Sequence, residues 1–340
     1  MPNNPTKILL SMTLVGGILI SISSNSWLGA WMGLEINLMS FIPLMTSQEN
    51  IFTTEASLKY FIIQALASSV LMFLVMMKAL MYQGFTMSNN IYEYVIMTPL
   101  LTKMGAAPMH WWFPSVMEGL SWVNCLLMMT IQSAAPMILM SYLMKINPLI
   151  LTVVMLSVVV GSMGGMNQTS LRKILTYSSI NHTGWMLMAL LGGINLWVMY
   201  FAVYSMLTSA VTTTAKLFNI SFINQMMSTN EKSAVKFVLF TTLLSLGGLP
   251  PFIGFLPKWI TIQMMIANNL SLTMTVMVIT SLATLYYYLR MCYSSFIILH
   301  NETKWNPLMH KANKTSMHSI VLASMSMMGL IVCTMIVSIN

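Results

Sequence analysis

A few ionisable side chains lie where the sequence is otherwise almost free of charge. Glu35 sits eight residues into the apolar run 27–46, roughly 12 Å along a helix that rises about 1.5 Å per residue. Lys103 precedes Pro108 inside the run 92–120, and Lys258 follows Pro257 inside the run 236–268. His182 is at the middle of 173–192, and His110 adjoins Trp111 and Trp112. Charges held that deep are expensive and usually mark an ion or proton path. Glutamate, lysine and histidine are side chains whose proton affinity surroundings can tune, so proton transfer is the chemistry that suits this set. The alternative for Glu35, Lys103 and Lys258 is a static ion pair that fixes helix packing. For His182 and His110 it is a hydrogen bond to a neighbouring helix.

Prolines stand close to both lysines. A proline has no N–H and frees the carbonyl four residues back. Pro108 frees the carbonyl of Met104, next to Lys103, while Pro250 and Pro251 free those of Leu246 and Gly247. Such oxygens would solvate an ammonium or hold water against it. By contrast no GxGxxG, P-loop, cysteine cluster or metal-ligating set is present. Hydride and electron transfer are therefore expected in another chain, with no cofactor and no metal held here.

The elements that must position these residues are membrane helices. Hydrophobic residues make up 57% of the 340 positions and charged residues 6%, against roughly 25% charged in a soluble domain. Apolar runs broken by Asn, Gly, Pro or charge predict helices over 8–23, 27–46, 56–80, 92–120, 122–144, 148–166, 173–192, 195–219, 236–268, 271–299 and 318–338. The expected fold is all-α, a single polytopic membrane domain of about eleven transmembrane helices. Two of the runs are too long for one straight crossing. The run 92–120 contains Pro108 and Pro114, and 236–268 contains Pro250, Pro251 and Pro257. Each is the fourth of a group of five, 8–144 and 148–299, followed by a last helix at 318–338. Groups of odd number start from opposite faces, which predicts two inverted repeats with a site where the interrupted helices approach.

The net charge of +8 forms no stripe that a nucleic acid would need. Eleven of the cations, among them Lys7, Arg172, Lys173 and Arg290, fall on the N-terminal face, and only Lys78 and Lys145 on the other. That bias places the N-terminus inside and the C-terminus outside. The polar loop 300–317 is expected to meet partner subunits. Cys125, Cys292 and Cys333 sit in apolar segments with no pairing pattern and read as inert thiols. Methionine is in excess, at 39 residues, as a genetic code that reads an isoleucine codon as methionine would produce; animal mitochondria use one. Met1–Lys7 leads into the first apolar run with no separate signal segment expected.

Three stretches go beyond a generic membrane protein. Residues 102–114 resemble the pattern K-x-G-x-A-P-x-H-x-W-x-P, 167–185 resemble N-Q-T-x-L-R-K-x-x-x-Y-S-S-I-x-H-x-G-W, and 244–259 resemble L-S-L-G-G-L-P-P-L-x-G-F-x-P-K-W. These are similar to the antiporter-like membrane subunits of the respiratory NADH:ubiquinone oxidoreductase, complex I, over essentially the whole chain. The resemblance implies a proton-pumping subunit of the mitochondrial inner membrane, with its N-terminus in the matrix and its C-terminus in the intermembrane space. It implies other membrane-arm and accessory subunits and lipids as partners. NADH, FMN, iron–sulfur clusters and ubiquinone would be held elsewhere in the complex. The family's essential groups match Glu35, Lys103 and Lys258, as input pair and output group. Where the family carries a central lysine in W-Q-K-x-A-P, this chain has Ser133 after Gln132. A serine does not store a proton, so the expected centre is a water chain touching Ser133 and Gln132, with His182 or His110 as the nearest protonatable group. The alternatives are a dry centre without pumping, a stand-alone cation/proton antiporter, and a scaffold.

Overall fold

The computed structural model describes residues 5–47, 50–81, 89–223, 225, 233–293, 321, 324 and 326–329. The loop 300–317, Lys232 and Cys333 lie outside these residues, as does most of the expected helix 318–338. Among the described residues the fold is all-α: α1 (Pro5–Ser23), α2 (Trp27–Met45), α3 (Ile51–Met81), α4 (Asn89–Met104), α5 (Trp112–Gly119), α6 (Trp122–Met129), α7 (Ile131–Ser141), α8 (Pro148–Met166), α9 (Leu171–Gly192), α10 (Ile194–Leu217), α11 (Ser233–Gly247), α12 (Phe255–Ala267) and α13 (Ser271–Tyr293). Among the described residues seven spans are long and apolar enough to cross a membrane: α1, α2, Ile51–Lys78 in α3, Trp122–Ser141, α8, α10 and α13.

The expected helix 92–120 is divided into α4 and α5, and 236–268 into α11 and α12, as their glycines and prolines imply. The expected helix 122–144 is also interrupted, at Thr130 (φ −110°, ψ −72°). No glycine or proline marks that point. Instead Thr130 Oγ1 donates to the Leu126 carbonyl and Ser133 Oγ to those of Met129 and Thr130. Hydroxyls that bond back along a helix bend it.

The chain forms two compact units, Met1–Ser157 and Val158–Asn340. In the first, α1 lies against α2, α3 packs on α2, α4 and α5, and α4 also meets α7. The α1–α2 crossing is close because glycines face backbone there. A Cβ on Gly33 would stand 2.5 Å from the Ser21 nitrogen, and one on Gly17 would stand 2.9 Å from the Asn37 nitrogen. Small residues let membrane helices approach in this way, since hydrophobicity alone gives them no reason to associate in lipid.

In the second unit α10 packs on α9, α11 and α12, and α13 packs on α11 and α12. The polar helix α9 is the innermost: every residue from Ser178 to Leu190 is buried, among them Asn181 and His182. Helix α1 is its opposite, apolar and largely exposed, with Ile8, Leu9, Met12 and Leu19 facing outward. That inversion suits lipid as solvent, since polar side chains must find partners inside.

Gly33→Val is expected to separate α1 from α2, because backbone stands where the side chain would go. Overpacking of this kind destabilises by about 1–3 kcal/mol. Reduced assembly of the chain on native gels would show it, with Gly16→Ala, at a position open within 4 Å, as the neutral control.

Candidate functional site

Both breaks are built alike. Residues 105–111 separate α4 from α5 and residues 248–254 separate α11 from α12, equal stretches. Each opens on a glycine in the left-handed region, Gly105 at φ 72° and Gly248 at φ 80°. The residue after each glycine donates its N–H five residues back, Ala106 to Leu101 at 3.2 Å and Leu249 to Leu244 at 3.5 Å. This is the helix stop that glycine favours, since a Cβ is strained at such φ. Pro108, Pro250 and Pro251 lie within the breaks. Pro114 and Pro257 lie instead in the first turn of the following helices, where a missing N–H has no helical partner to lose.

A helix end leaves its last carbonyls without helical donors. In the second unit buried side chains take up two of them. The Lys258 ammonium donates to the Gly247 carbonyl at 3.0 Å, and the His182 imidazole meets the Leu246 carbonyl. These are the two oxygens that Pro251 and Pro250 leave free. Lys258 is 5% exposed. Its ammonium also lies over the Trp185 ring, 5.7 Å from the centroid, where a cation is attracted by the π face. Lys258 and His182 are within electrostatic reach of each other. The second ring nitrogen of His182, Nδ1, meets the Tyr200 hydroxyl at 2.9 Å. Gly248 makes the room: a Cβ there would sit 3.0 Å from the Lys258 Nζ.

In the first unit the lysine precedes the break. Lys103 is 6% exposed, and Glu35 acts on it by charge. No ion pair joins them, and Glu35 is half-exposed on the chain taken alone. The break carbonyls are held by other side chains: Trp112 Nε1 donates to Thr102 at 3.1 Å and Gln64 Nε2 to Lys103 at 3.3 Å. Among the described residues no hydrogen bond joins the Met104 carbonyl to the Lys103 ammonium, the contact that Pro108 suggests. One turn before Gln64, the Tyr60 hydroxyl donates to Gln132 Oε1 at 3.3 Å, and Gln132 Nε2 donates to Asn37 Oδ1 at 2.9 Å. All three of these residues are buried.

Residues 24–284 match the family model described as "NADH:quinone oxidoreductase/Mrp antiporter, TM", and residues 285–337 match "NADH dehydrogenase subunit 2 C-terminus". The chain is 45% identical over 335 residues to the NADH-ubiquinone oxidoreductase chain 2 of Locusta migratoria, covering 98% of this chain and 97% of that one. It is 47% identical over 326 residues to that of Anopheles gambiae, 95% of each. The chain belongs to the NADH-ubiquinone oxidoreductase chain 2 family. Its fold is similar to a chain of respiratory complex I from Thermus thermophilus with bound aureothin, with TM-score 0.83 and 24% identity over 97% of this chain and 79% of that one. It is also similar to a chain of the Mrp complex from Dietzia, with TM-score 0.80 and 15% identity over 96% and 75%.

Within this chain 2 family member, Ser133 and Gln132 are both committed. Ser133 gives its proton to the Met129 and Thr130 carbonyls, which leaves it as an acceptor rather than a two-way partner for water. His110 is buried beside the Trp111 ring, with Nδ1 at 3.2 Å from the Pro108 carbonyl of its own turn. Asn37, Tyr60 and Gln64 escaped a search for charge. The signals were present: Asn37 stands two residues from Glu35, and Tyr60 and Gln64 share one face of α3 at four-residue spacing.

Gly248→Ala is expected to strain the backbone by about 1–2 kcal/mol and to push the ammonium off the Gly247 carbonyl. The complex should still assemble while its coupled proton transport falls. Proton uptake or release by reconstituted complex, set against the amount assembled, measures this.

Proposed function

We propose that the chain is a proton-translocating membrane subunit of the respiratory NADH:ubiquinone oxidoreductase of the mitochondrial inner membrane, in which Lys258, Lys103 and Glu35 handle the proton. The observation that carries this is Lys258. Its ammonium is buried at a break in a membrane helix, held by one freed carbonyl, with a histidine on the next. A helix break at membrane depth persists only where it is buried in protein or faces a wet cavity, and a buried lysine that also neighbours a histidine has somewhere to send a proton.

Lys103 is the loading group and Glu35 the carboxylate that biases it, acting through charge without a direct pair. A change in the charge of Glu35, or in how exposed it is, alters the field at Lys103. Lys258 is the output group, with His182 its exchange partner. In the first unit Gln132 ties α7 to α2 and α3 through Asn37 and Tyr60, and Ser133 accepts hydrogen bonds from water. No group in this path undergoes oxidation or reduction. NADH, FMN, iron–sulfur clusters and ubiquinone belong to other chains of the assembly, and other membrane subunits and lipid cover the apolar outer faces.

We propose further that 8–144 and 148–299 are repeats of one five-helix plan, supported by their equal breaks, each opened by a left-handed glycine. The plan is varied in one respect, because the lysine precedes the break in the first unit and follows it in the second. The N-terminus is assigned to the matrix side from the distribution of cations.

Removing a positioned proton-transfer group slows its step by about 100-fold or more. Lys258→Ala is therefore expected to suppress proton transport by the reconstituted complex, while NADH oxidation by detergent-opened complex continues. Undiminished proton transport at normal assembly would defeat the assignment. Lys103→Ala should do the same, and loss of transport with assembly intact excludes a scaffold. Cation-driven proton exchange by the isolated chain in vesicles would instead indicate a stand-alone antiporter.

A further inference from the structure

Four tyrosines of the second unit, two against His182 and two farther from it, are buried and have no part in the path above. Tyr200 and Tyr204 on α10 are 1% and 3% exposed, and Tyr287 and Tyr288 on α13 are 0% and 1%. A buried phenol usually finds a hydrogen-bond partner, and phenylalanine fills an apolar space without needing one. These four adjoin one another in sequence away from the histidine. The Tyr200 hydroxyl meets His182 Nδ1 at 2.9 Å. One turn further along α10 the Tyr204 ring lies 5.1 Å from the imidazole, with its hydroxyl beside Ser179 and near Tyr288. The Tyr288 hydroxyl lies beside Ser178, and its ring is 4.7 Å from that of Tyr287.

Two details give this row a direction and a medium. Ser179 and Ser178 are about one turn nearer than His182 to the start of α9, so the row runs toward the end that carries Arg172. Beyond Tyr287, Arg290 reaches the Gln168 carbonyl at 3.5 Å, in the segment just before α9. The hydroxyls of Tyr287 and Tyr288 are buried near each other and near that of Ser178, and among the described residues neither makes a hydrogen bond of direct geometry. Nor does Asn181 Oδ1 on the same helix as the serines. Polar atoms that are neighbours without touching are spaced as water bridges them. Ser178 and Ser179 donate their own protons to the carbonyls of Leu175 and Thr176, which leaves both oxygens as acceptors.

We propose that Tyr200, Tyr204, Tyr288 and Tyr287 form a water-bridged hydroxyl ladder that conducts protons between His182 and the Arg172 end of α9, with Ser178 and Ser179 as fixed acceptors that hold its phenols and water in place. Each phenol and water oxygen accepts a proton on a lone pair as it passes its own to the next. No tyrosinate is left behind, and the net event is one proton moved between water at the helix end and the imidazole. The ladder rests on the proton-translocating reading of Lys258 and His182, and supplies them with a route to one surface.

The test uses the assembled complex carrying Tyr204→Phe or Tyr288→Phe, which remove a hydroxyl and keep the ring. Tyr142→Phe, at an exposed position, is the control. At equal assembly on native gels, protons moved per NADH oxidised should fall severalfold in the ladder variants and not in the control. An unchanged ratio in both ladder variants, with Lys258→Ala still suppressing transport, overturns the ladder and leaves the function standing. An unchanged ratio in Lys258→Ala as well overturns the function. If either tyrosine variant assembles poorly, Gly165→Ala gives a second arm. Its Cβ would stand 2.9 Å from the Tyr287 ring, and it should lower the same ratio by displacing that hydroxyl. High-resolution density from the unaltered complex gives a third: ordered water between Ser178, Tyr288 and Tyr287 supports the ladder, and a dry contact refutes it.

Discussion

Backbone amides and carbonyls have no water to turn to inside a bilayer, and that requirement governs this structure more than any single packing contact. A helix meets it without help. A broken helix does not, and each break in this chain recruits side chains to finish what the helix left undone. In the second unit the recruits are Lys258 and His182, on the carbonyls of Gly247 and Leu246. In the first they are Gln64 and Trp112, on the carbonyls of Lys103 and Thr102. In the second unit the proposed proton handling therefore uses the same atoms as the structural repair. An ammonium that also satisfies a backbone oxygen is placed with the precision of a hydrogen bond, and the C-terminal end of α11 supplies partial negative charge to it.

The two breaks differ in what the repair leaves available. Around Lys103 the carbonyls are satisfied by neutral donors, so the ammonium is held by position and by the distant charge of Glu35. Around Lys258 the ammonium is itself a donor in the repair. A proton leaving Lys258 therefore still leaves an amine able to donate to Gly247, whereas the field at Lys103 depends on a half-exposed carboxylate. The first lysine is thus open to influence from outside the chain and the second is insulated from it.

Much of this was legible in the residues. Apolar runs gave the helices of the described residues because a crossing needs about 20 apolar residues, and Pro250 and Pro251 announced the second break because proline removes a backbone donor whatever surrounds it. The freed carbonyls of Leu246 and Gly247 followed from the positions of Pro250 and Pro251. The interruption at Thr130 did not follow, since hydroxyls bonding back along a helix are common where no break results. Nor did the Asn37–Gln132–Tyr60 connection, which joins positions 95 and 72 residues apart and depends on tertiary packing that no local pattern encodes. The four buried tyrosines were hidden for a related reason: a phenol in an apolar run looks the same in sequence whether it faces lipid or the interior, and only their burial distinguishes them.

The polarity of α9 has a consequence for how the chain is made. A segment holding Arg172, Lys173, Asn181 and His182 partitions poorly from a translocation channel into lipid on its own, because charged and amide side chains oppose such transfer. Its neighbours α8 and α10 are apolar enough to cross by themselves. Biogenesis therefore has to retain α9 beside the insertion machinery until α10 emerges, so that Tyr200 can receive His182 before the helix meets hydrocarbon. The order of synthesis, with α10 following α9 after the single residue Gly193, keeps that delay short.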